Sequence, residues 1–401
     1  MNKPLSNIRV IDCTFYVAGP SCGKCLSEWG AEVIKIEPPT GDPGRTVIPG
    51  DTQDSDFENY NNTKKGIVIN MKNPEGVVVL KKLLATADVF LTSYRTNALK
   101  KLGLDYESLS KEFPKLVWAQ VNGFGDEGPD ADAPGFDTVA YWARSGLMND
   151  FVETGTPIII PPVGFGDANA GVTLAGGIAA ALYEREKTGH GDKVMLSLYG
   201  QAIYNLGHTI VDIQQHDGVY PKSRTWPAVP LMNSFKCKDG KWIYMAVLEH
   251  DRYYASVMKL IDREDLVDDR RFKSIFGAAI NCPAFTAILD EGFMKYTQEE
   301  WIAKLTEADI AFSPVCQTAD IVNDPQAIEN NFVRDYTYRD GTSGKIAMGP
   351  IQFGNIELDE FTNAPRRGGE DTVEIMEGLG YTKEQIKELV ELKAVKAIWK
   401  D

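Results

Sequence analysis

Short β-branched runs alternate with amphipathic runs over the first third of the chain, and this alternation limits the fold more than any other feature. IRVIDC (Ile8 to Cys13) precedes a helical stretch from Pro20 to Trp29; Gly30 ends that stretch, and EVIKIE (Glu32 to Glu37) follows. This is one β-α-β unit. The pattern recurs as GIVINM (Gly66 to Met71), a helix opened by Pro74 and Glu75, DVFLTS (Asp88 to Ser93), another helix, and KLVWAQV (Lys115 to Val121). Strands separated by helices pair through crossovers, so the expected class is α/β with a mostly parallel, doubly wound sheet.

At ~150 residues per domain, 401 residues suggest two or three domains, or one large domain with a satellite. Downstream, DANAGVTLAGGIAAALYEREKTGHGDKVMLSLY predicts a small-residue helix from Asp167, a turn at Gly189 and Gly191, and a strand from Lys193 to Leu198. An apolar helix is expected to continue through Ile213. The texture changes between Trp226 and Asp324, where SFKCKDGKWIYMAV carries an Asp239-Gly240 hairpin signal ahead of two charged amphipathic helices and ADIAFSPV. The predicted organisation is a large domain from residues 1–225, a smaller inserted α+β domain at 226–324, and a segment at 325–401 that returns to the large domain. TKEQIKELVELKAVKAIW (Thr382 to Trp399) is expected to form a capped surface helix. Three stretches rich in Gly, Pro, Asp or Asn (Glu37 to Lys64, Asn122 to Pro134, Val152 to Gly166) are expected to be long loops, which in compact domains are often functional.

Composition narrows the function classes. Lys and Arg number 42 against 57 Asp and Glu, a net charge of −15, which opposes binding to nucleic acid or anionic membranes. A polyanionic ligand would need a local basic pocket, and Lys64, Lys65, Lys72, Arg95, Lys100 and Lys101 cluster where loops follow strands. The opening MNKPLSNIRVID has polar and charged residues where an export signal carries its apolar core, so a cytoplasmic protein is expected. The uncharged stretch Ala170 to Tyr183 is shorter than the ~20 apolar residues of a spanning helix, so no membrane segment is expected. Six cysteines in a chain of this length do not form a disulfide framework, and free thiols are the default.

Several motifs have plain alternatives. Cys22-Gly-Lys-Cys25 sits where a redox CxxC would, but spacing alone is weak, and the scattered histidines supply no second pair of zinc ligands. Small buried residues on a helix explain it better. Gly123-Phe-Gly-Asp-Glu-Gly128 matches GxGxxG, yet Pro129 and the Asp/Pro-rich run behind it do not open the helix that a dinucleotide fingerprint requires; a turn is expected. Asp167, beside Gly166 at the start of the small-residue helix, can be read as an N-cap. It can also be read as a carboxylate held ionised by the helix terminus and open to a substrate past Gly164 and Gly166, a candidate nucleophile toward an activated acyl group.

NIRVIDCTFYVAGP, GAEVIKIEPPTGDPGR, NTKKGIVINMKNPEG, LTSYRTNALKKLGLDYESL, QVNGFGDEGP, PGFDTVAYWARSGLM and GFGDANAGVTLAGGIAAALYEREKTGHGDKVMLSL occur in this order. Together they resemble the class III coenzyme A transferases, the group that includes formyl-CoA, carnitine-CoA and phenyllactate CoA-transferases, over essentially the whole chain. The resemblance implies a Rossmann-like large domain with a smaller inserted domain, and two subunits interlocked as a homodimer. It implies no permanently bound cofactor and no metal, with CoA thioesters and small carboxylic acids as substrates. Asp167 would be the nucleophile. Carried over by position, CoA contacts fall at Val17, Ala18, Ile69, Lys72, Ser93, Tyr94, Lys101, Phe136 and Asp137. Val17 stands where the oxalate-handling members have Gln and Pro38 where they have Arg; near Trp226 to Pro230 their glycine-rich flap is missing. Related α-methylacyl-CoA racemases place a His where this chain has Phe136, which leaves a racemase or epimerase as the second reading and a non-catalytic CoA-binding protein as the third. The subgroup most similar moves CoA onto an (R)-2-hydroxy acid such as phenyllactate or 2-hydroxyisocaproate in amino-acid fermentation.

Overall fold

The computed structural model describes residues 3–48, 50, 54–216, 218, 223–354 and 361–399. Its main sheet has seven strands: β1 (Arg9–Cys13), β2 (Glu32–Glu37), β3 (Lys65–Ile69), β4 (Val89–Thr92), β5 (Val117–Asn122), β6 (Lys193–Ser197) and the short edge strand Val395–Lys396. From that edge the order runs β3-β2-β1-β4-β5-β6, with every pair among these six parallel and the edge strand antiparallel to β3. Parallel strands need both faces covered, and Val10, Ile11, Val89, Phe90, Leu91, Val117 and Ala119 in the central strands are fully buried.

One face is covered by the helices Pro74–Leu84, Thr96–Leu102 and Tyr106–Glu112, whose Leu80, Leu83, Leu99 and Leu109 join Ile11, Ile34, Ile67 and Trp118 in one core. The helices Ala18–Glu28 and Phe165–Thr188 pack closely against each other. The small residues of the second explain the fit: a Cβ on Gly171 would lie 2.6 Å from the Cβ of Ser21 and 2.8 Å from the Ala18 carbonyl oxygen. Here a run of Gly and Ala is an instruction to approach.

The structure departs from the sequence reading in three places. The stretch from Glu37 to Lys64 contains the helix Ser55–Asn61, formed because Phe57 and Glu58 are buried despite the Asn-rich surroundings. The apolar helix expected through Ile213 is two helices, Leu198–Asn205 and Gly207–Gln215. The final helix has its capping box at Thr382 but ends at Glu391; Lys393 turns with φ 58°, and Ala394 and Val395 are buried at the sheet edge. Nor is it merely a surface helix, since Ile386 and Leu389 reach the core.

The chain separates into two compact units, residues 1–147, 160–208 and 325–401, and residues 148–159 and 209–324. Within the second, β7 (Met232–Lys236) and β8 (Trp242–Ala246) form the antiparallel hairpin expected at Asp239-Gly240, with Gly240 at φ 82°, and β9 (Phe312–Pro314) pairs with β8. Its core stacks Phe293 between Phe235 and Trp301, with ring centroids 4.4 Å apart on either side.

Candidate active site

Strand order reverses between β1 and β4, and at such a switch point the loops leaving the two strands diverge and open a crevice beyond their carboxyl ends. A cleft of about 220 Å³ lies there. It is lined by Phe15, Tyr16 and Ala18 after β1, Ser93, Arg95 and Thr96 after β4, Val121, Asn122 and Gly123 from β5, the segment around Pro134 to Phe136, Asp167 and Leu198. Gly123 and Gly135 pass so closely that a Cβ on Gly123 would sit 2.7 Å from the Gly135 Cα. The GxGxxG match is a pair of turns, with Gly125 at φ 100° and Gly128 at φ 89°, and no helix begins behind it before Asp137.

Asp167 is not the N-cap of its helix. Gly164 is, in the left-handed conformation at φ 79°, and Asp167 is the third helical residue. The cap is supplied from another element: the Asp137 carboxylate accepts the Gly164 amide at 2.8 Å, and the amides of Gly166 and Asp167 also face it. Gly166 makes the approach possible, since a Cβ there would lie 2.4 Å from Asp137 Oδ1 and 2.3 Å from the Tyr141 ring. With the terminal amides engaged by Asp137, the Asp167 carboxylate accepts no hydrogen bond from the described residues.

This reverses the electrostatic expectation. Rather than being held ionised by the helix terminus, Asp167 is pushed up to about 7, first by burial and second by the negative charge of Asp137. Asp137 is itself raised by burial, against the opposing effect of the amides it accepts. The site therefore holds two carboxyl groups in unlike environments, one hydrogen-bonded and one bare. Tyr60 belongs beside them: burial raises its hydroxyl first, and the charges of Asp56, Asp167 and Asp137 add to it.

Of the remaining positions carried over by resemblance, Ala18, Ser93 and Phe136 line the cleft. Phe136 meets Tyr16 edge-on with ring centroids 5.4 Å apart, and Val17 lies beside Gly164. Ser93 Oγ accepts the Phe15 amide at 3.1 Å, while Tyr94 stands behind, edge-on to Phe15 at 5.1 Å. Ile69 is fully buried in β3, and Lys72 and Lys101 are exposed; none of the three lines this cleft. Phe15, Tyr16 and Asn122 escaped sequence reasoning because aromatic and Asn residues at or after strand ends carry no spacing signal, and Tyr60 because its helix, Ser55–Asn61, lies in a stretch read as a loop.

The basic cluster is thinned by the structure. Lys64 is fully buried, its ammonium donating to Asp12 at 2.9 Å, to the Pro20 carbonyl and to Asn61, and burial pulls it down to about 8. Lys65 is paired with Glu374 and Glu32. Arg95 is the cation that lines the cleft. Cys22 and Cys25 are buried free thiols, both pushed up by burial, Cys25 to about 12, which disfavours the thiolate that redox chemistry needs. Among the described residues, no group of three or more His, Cys, Asp or Glu is arranged to hold a metal, and no helix is long and apolar enough to cross a membrane.

A doubly wound α/β protein with an unpaired carboxylate at its switch point is a candidate for acyl-transfer chemistry. Comparison with known proteins makes the class specific. Residues 5–372 match CoA-transferase family III. The chain is 39% identical over 399 residues to the (R)-2-hydroxy-4-methylpentanoate CoA-transferase of Clostridioides difficile, covering 98% of this chain and 99% of that protein. It is 38% identical to the cinnamoyl-CoA:phenyllactate CoA-transferase of Clostridium sporogenes, covering 96% and 95%. A crystal structure of a CAIB/BAIF family protein from Brucella suis superposes with a TM-score of 0.82 at 27% identity, over 94% of this chain and all of that one. The chain belongs to CoA-transferase family III and is a class III CoA-transferase.

Proposed function

We propose that the enzyme moves CoA from an acyl- or enoyl-CoA donor to an (R)-2-hydroxy acid, of the phenyllactate or 2-hydroxyisocaproate kind, through a covalent intermediate on Asp167. The observation that carries the reading is the bare Asp167 carboxylate in the switch-point cleft, poised at about 7. A carboxylate without hydrogen bonds keeps its lone pairs available, and a raised pKa makes it more nucleophilic once ionised.

The steps balance without metal or ATP. An Asp167 oxygen attacks the donor thioester carbonyl, the C–S bond breaks, and CoA thiolate leaves a mixed anhydride. The thiolate attacks the aspartyl carbonyl and expels the donor acid, giving an aspartyl-CoA thioester. The acceptor carboxylate attacks that carbonyl, thiolate leaves again, and its attack on the acceptor carbonyl releases the new thioester and restores Asp167. Each step exchanges one activated acyl bond for another. The amide of Ala18, in the first turn of its helix, is the candidate donor to the oxyanion. Val17, Ser93, Tyr94, Phe136 and Asp137, with the exposed Lys72 and Lys101 toward the phosphates, complete the proposed CoA-binding set; Ile69, sealed in the core of the sheet, is left out.

The reading includes an interlocked homodimer in the cytoplasm, with CoA bound by the unit of residues 1–147, 160–208 and 325–401 rather than by the smaller unit, whose long segment begins at 209 and not at the expected 226. Exposed Ile158, Ile159, Ile160 and Val163, neighbours along the chain, support a partner, because a continuous apolar stretch left open to water is a mark of an interaction surface. The test is to give purified protein acyl-CoA donors with a panel of 2-hydroxy, simple aliphatic and dicarboxylic acids and to count new CoA thioesters by chromatography with mass detection. New thioester from 2-hydroxy acids is expected. Loss of configuration at the donor α-carbon without any acceptor would overturn the reading in favour of a racemase.

A further inference from the structure

Tyr16, on the wall of the cleft, has φ 61°, a left-handed conformation that is an outlier for a bulky side chain. Such a turn persists only where its surroundings hold it, and here the hold is a buried ion pair that the proposed mechanism does not use. The Tyr16 amide donates to Asp42 Oδ1 at 3.2 Å, and the Gly44 amide donates to the same oxygen at 2.8 Å. Lys35, in β2, places its ammonium 2.8 Å from Asp42 Oδ2, with neither side chain exposed to solvent. The same ammonium donates to the Thr14 carbonyl at 2.6 Å, so one cation ties down the residue at the start of the turn and the anion that holds its strained centre. Glu37 accepts the Asp42 amide at 2.8 Å and fixes the loop from below.

What the turn carries is functional. Tyr16 packs edge-on against Phe136, which directly precedes the carboxylate that caps the Asp167 helix, and Val17 and Ala18 open the helix Ala18–Glu28 at the cleft. We propose that the buried Lys35–Asp42 pair is a positioning device, which locks Tyr16 in the left-handed conformation and thereby sets the Ala18 amide and the Tyr16 ring relative to Asp167. The proposal rests on the reading of Asp167 as nucleophile and extends it to residues that touch no substrate.

The test compares kcat and KM in Asp42→Ala and Asp42→Asn, each alone and combined with Tyr16→Gly, beside Tyr16→Gly itself. Asp42→Ala should lose ~10- to ~100-fold in kcat, the cost of misplacing groups by about an ångström, with donor KM changed little. Asp42→Asn, which keeps an acceptor oxygen but not the charge, should lose less. Glycine needs no clamp to adopt φ above zero, so adding Tyr16→Gly to either Asp42 variant should restore part of the lost kcat, bringing the double variant close to Tyr16→Gly alone. A purely structural role of Asp42 would not be rescued in this way. If Asp42→Ala does not fold, the comparison is made in Asp42→Asn, and a folded Asp42→Asn with unchanged kcat overturns the proposal. So does a loss that Tyr16→Gly fails to relieve. Asp167→Asn assayed alongside separates the two claims: retained transfer there refutes the nucleophile, whereas lost transfer there with intact Asp42 variants refutes only the clamp.

Discussion

Replacing Asp167 by Asn should remove transfer and, at alkaline pH, make the protein more stable. The folded carboxyl is raised to about 7 against 3.8 for an ordinary Asp, so between those values the native state holds a proton that the unfolded chain has released. Stability tied to that proton is present at low pH and is lost as pH rises toward 7; Asn has no such dependence. The difference of about 3 units at 1.36 kcal/mol each sets a ceiling of ~4 kcal/mol, and the partial exposure of Asp167 screens this toward ~2 kcal/mol. Urea unfolding of both proteins at about pH 4 and about pH 8 reads the effect. The Asn variant should match wild type at the acid end and exceed it by ~2 to ~4 kcal/mol at the alkaline end. A stability difference that is the same at both pH values would refute the assignment of a destabilised, unpaired carboxylate to this position.

The same group predicts the pH dependence of catalysis: because only the ionised form attacks, kcat/KM should rise with pH through an apparent value near 7 and level off above it, and a flat profile from about pH 5 to about pH 9 would exclude it as the attacking group. Asp137→Asn, assayed the same way, should keep an acceptor for the Gly164 amide while moving the acid limb to lower pH; the move should be modest, because burial is the larger cause of the shift. Gly171→Ala should lower stability by ~1 to ~3 kcal/mol in calorimetry, since its Cβ would drive into Ser21 and the Ala18 carbonyl, and unchanged melting would contradict the close helix contact.

Much of the sheet was legible in the sequence because each central strand is a β-branched run bounded by punctuating residues. EVIKIE became the strand Glu32–Glu37 without adjustment, and Asp239-Gly240 turned where a hairpin was expected. What escaped was set by tertiary contact. The helix at Ser55–Asn61 exists because Phe57 finds a buried site, and the last helix gives way to an edge strand because β3 offers unpaired backbone groups near Val395. At the active site, the position of Asp167 near a helix start could be read from Gly164, Gly166 and the small residues that follow. Its protonation could not, because the residue that takes the helix-end amides, Asp137, is 30 positions away in sequence and reaches them only in the folded chain. Lys64 was counted in the basic cluster, and Lys35 carried no signal of its own; only the fold shows both to be buried in ion pairs.

Oxygen-isotope tracing on the enzyme itself tests the central claim most directly. In the proposed route, the acceptor oxygen that attacks the aspartyl thioester remains on Asp167 when the new CoA thioester departs. A single turnover with a 2-hydroxy acid labelled with oxygen-18 in its carboxylate should therefore leave one heavy oxygen in the peptide containing Asp167, and in no other peptide. Transfer that proceeds at full rate while this peptide stays unlabelled would contradict a covalent role for Asp167.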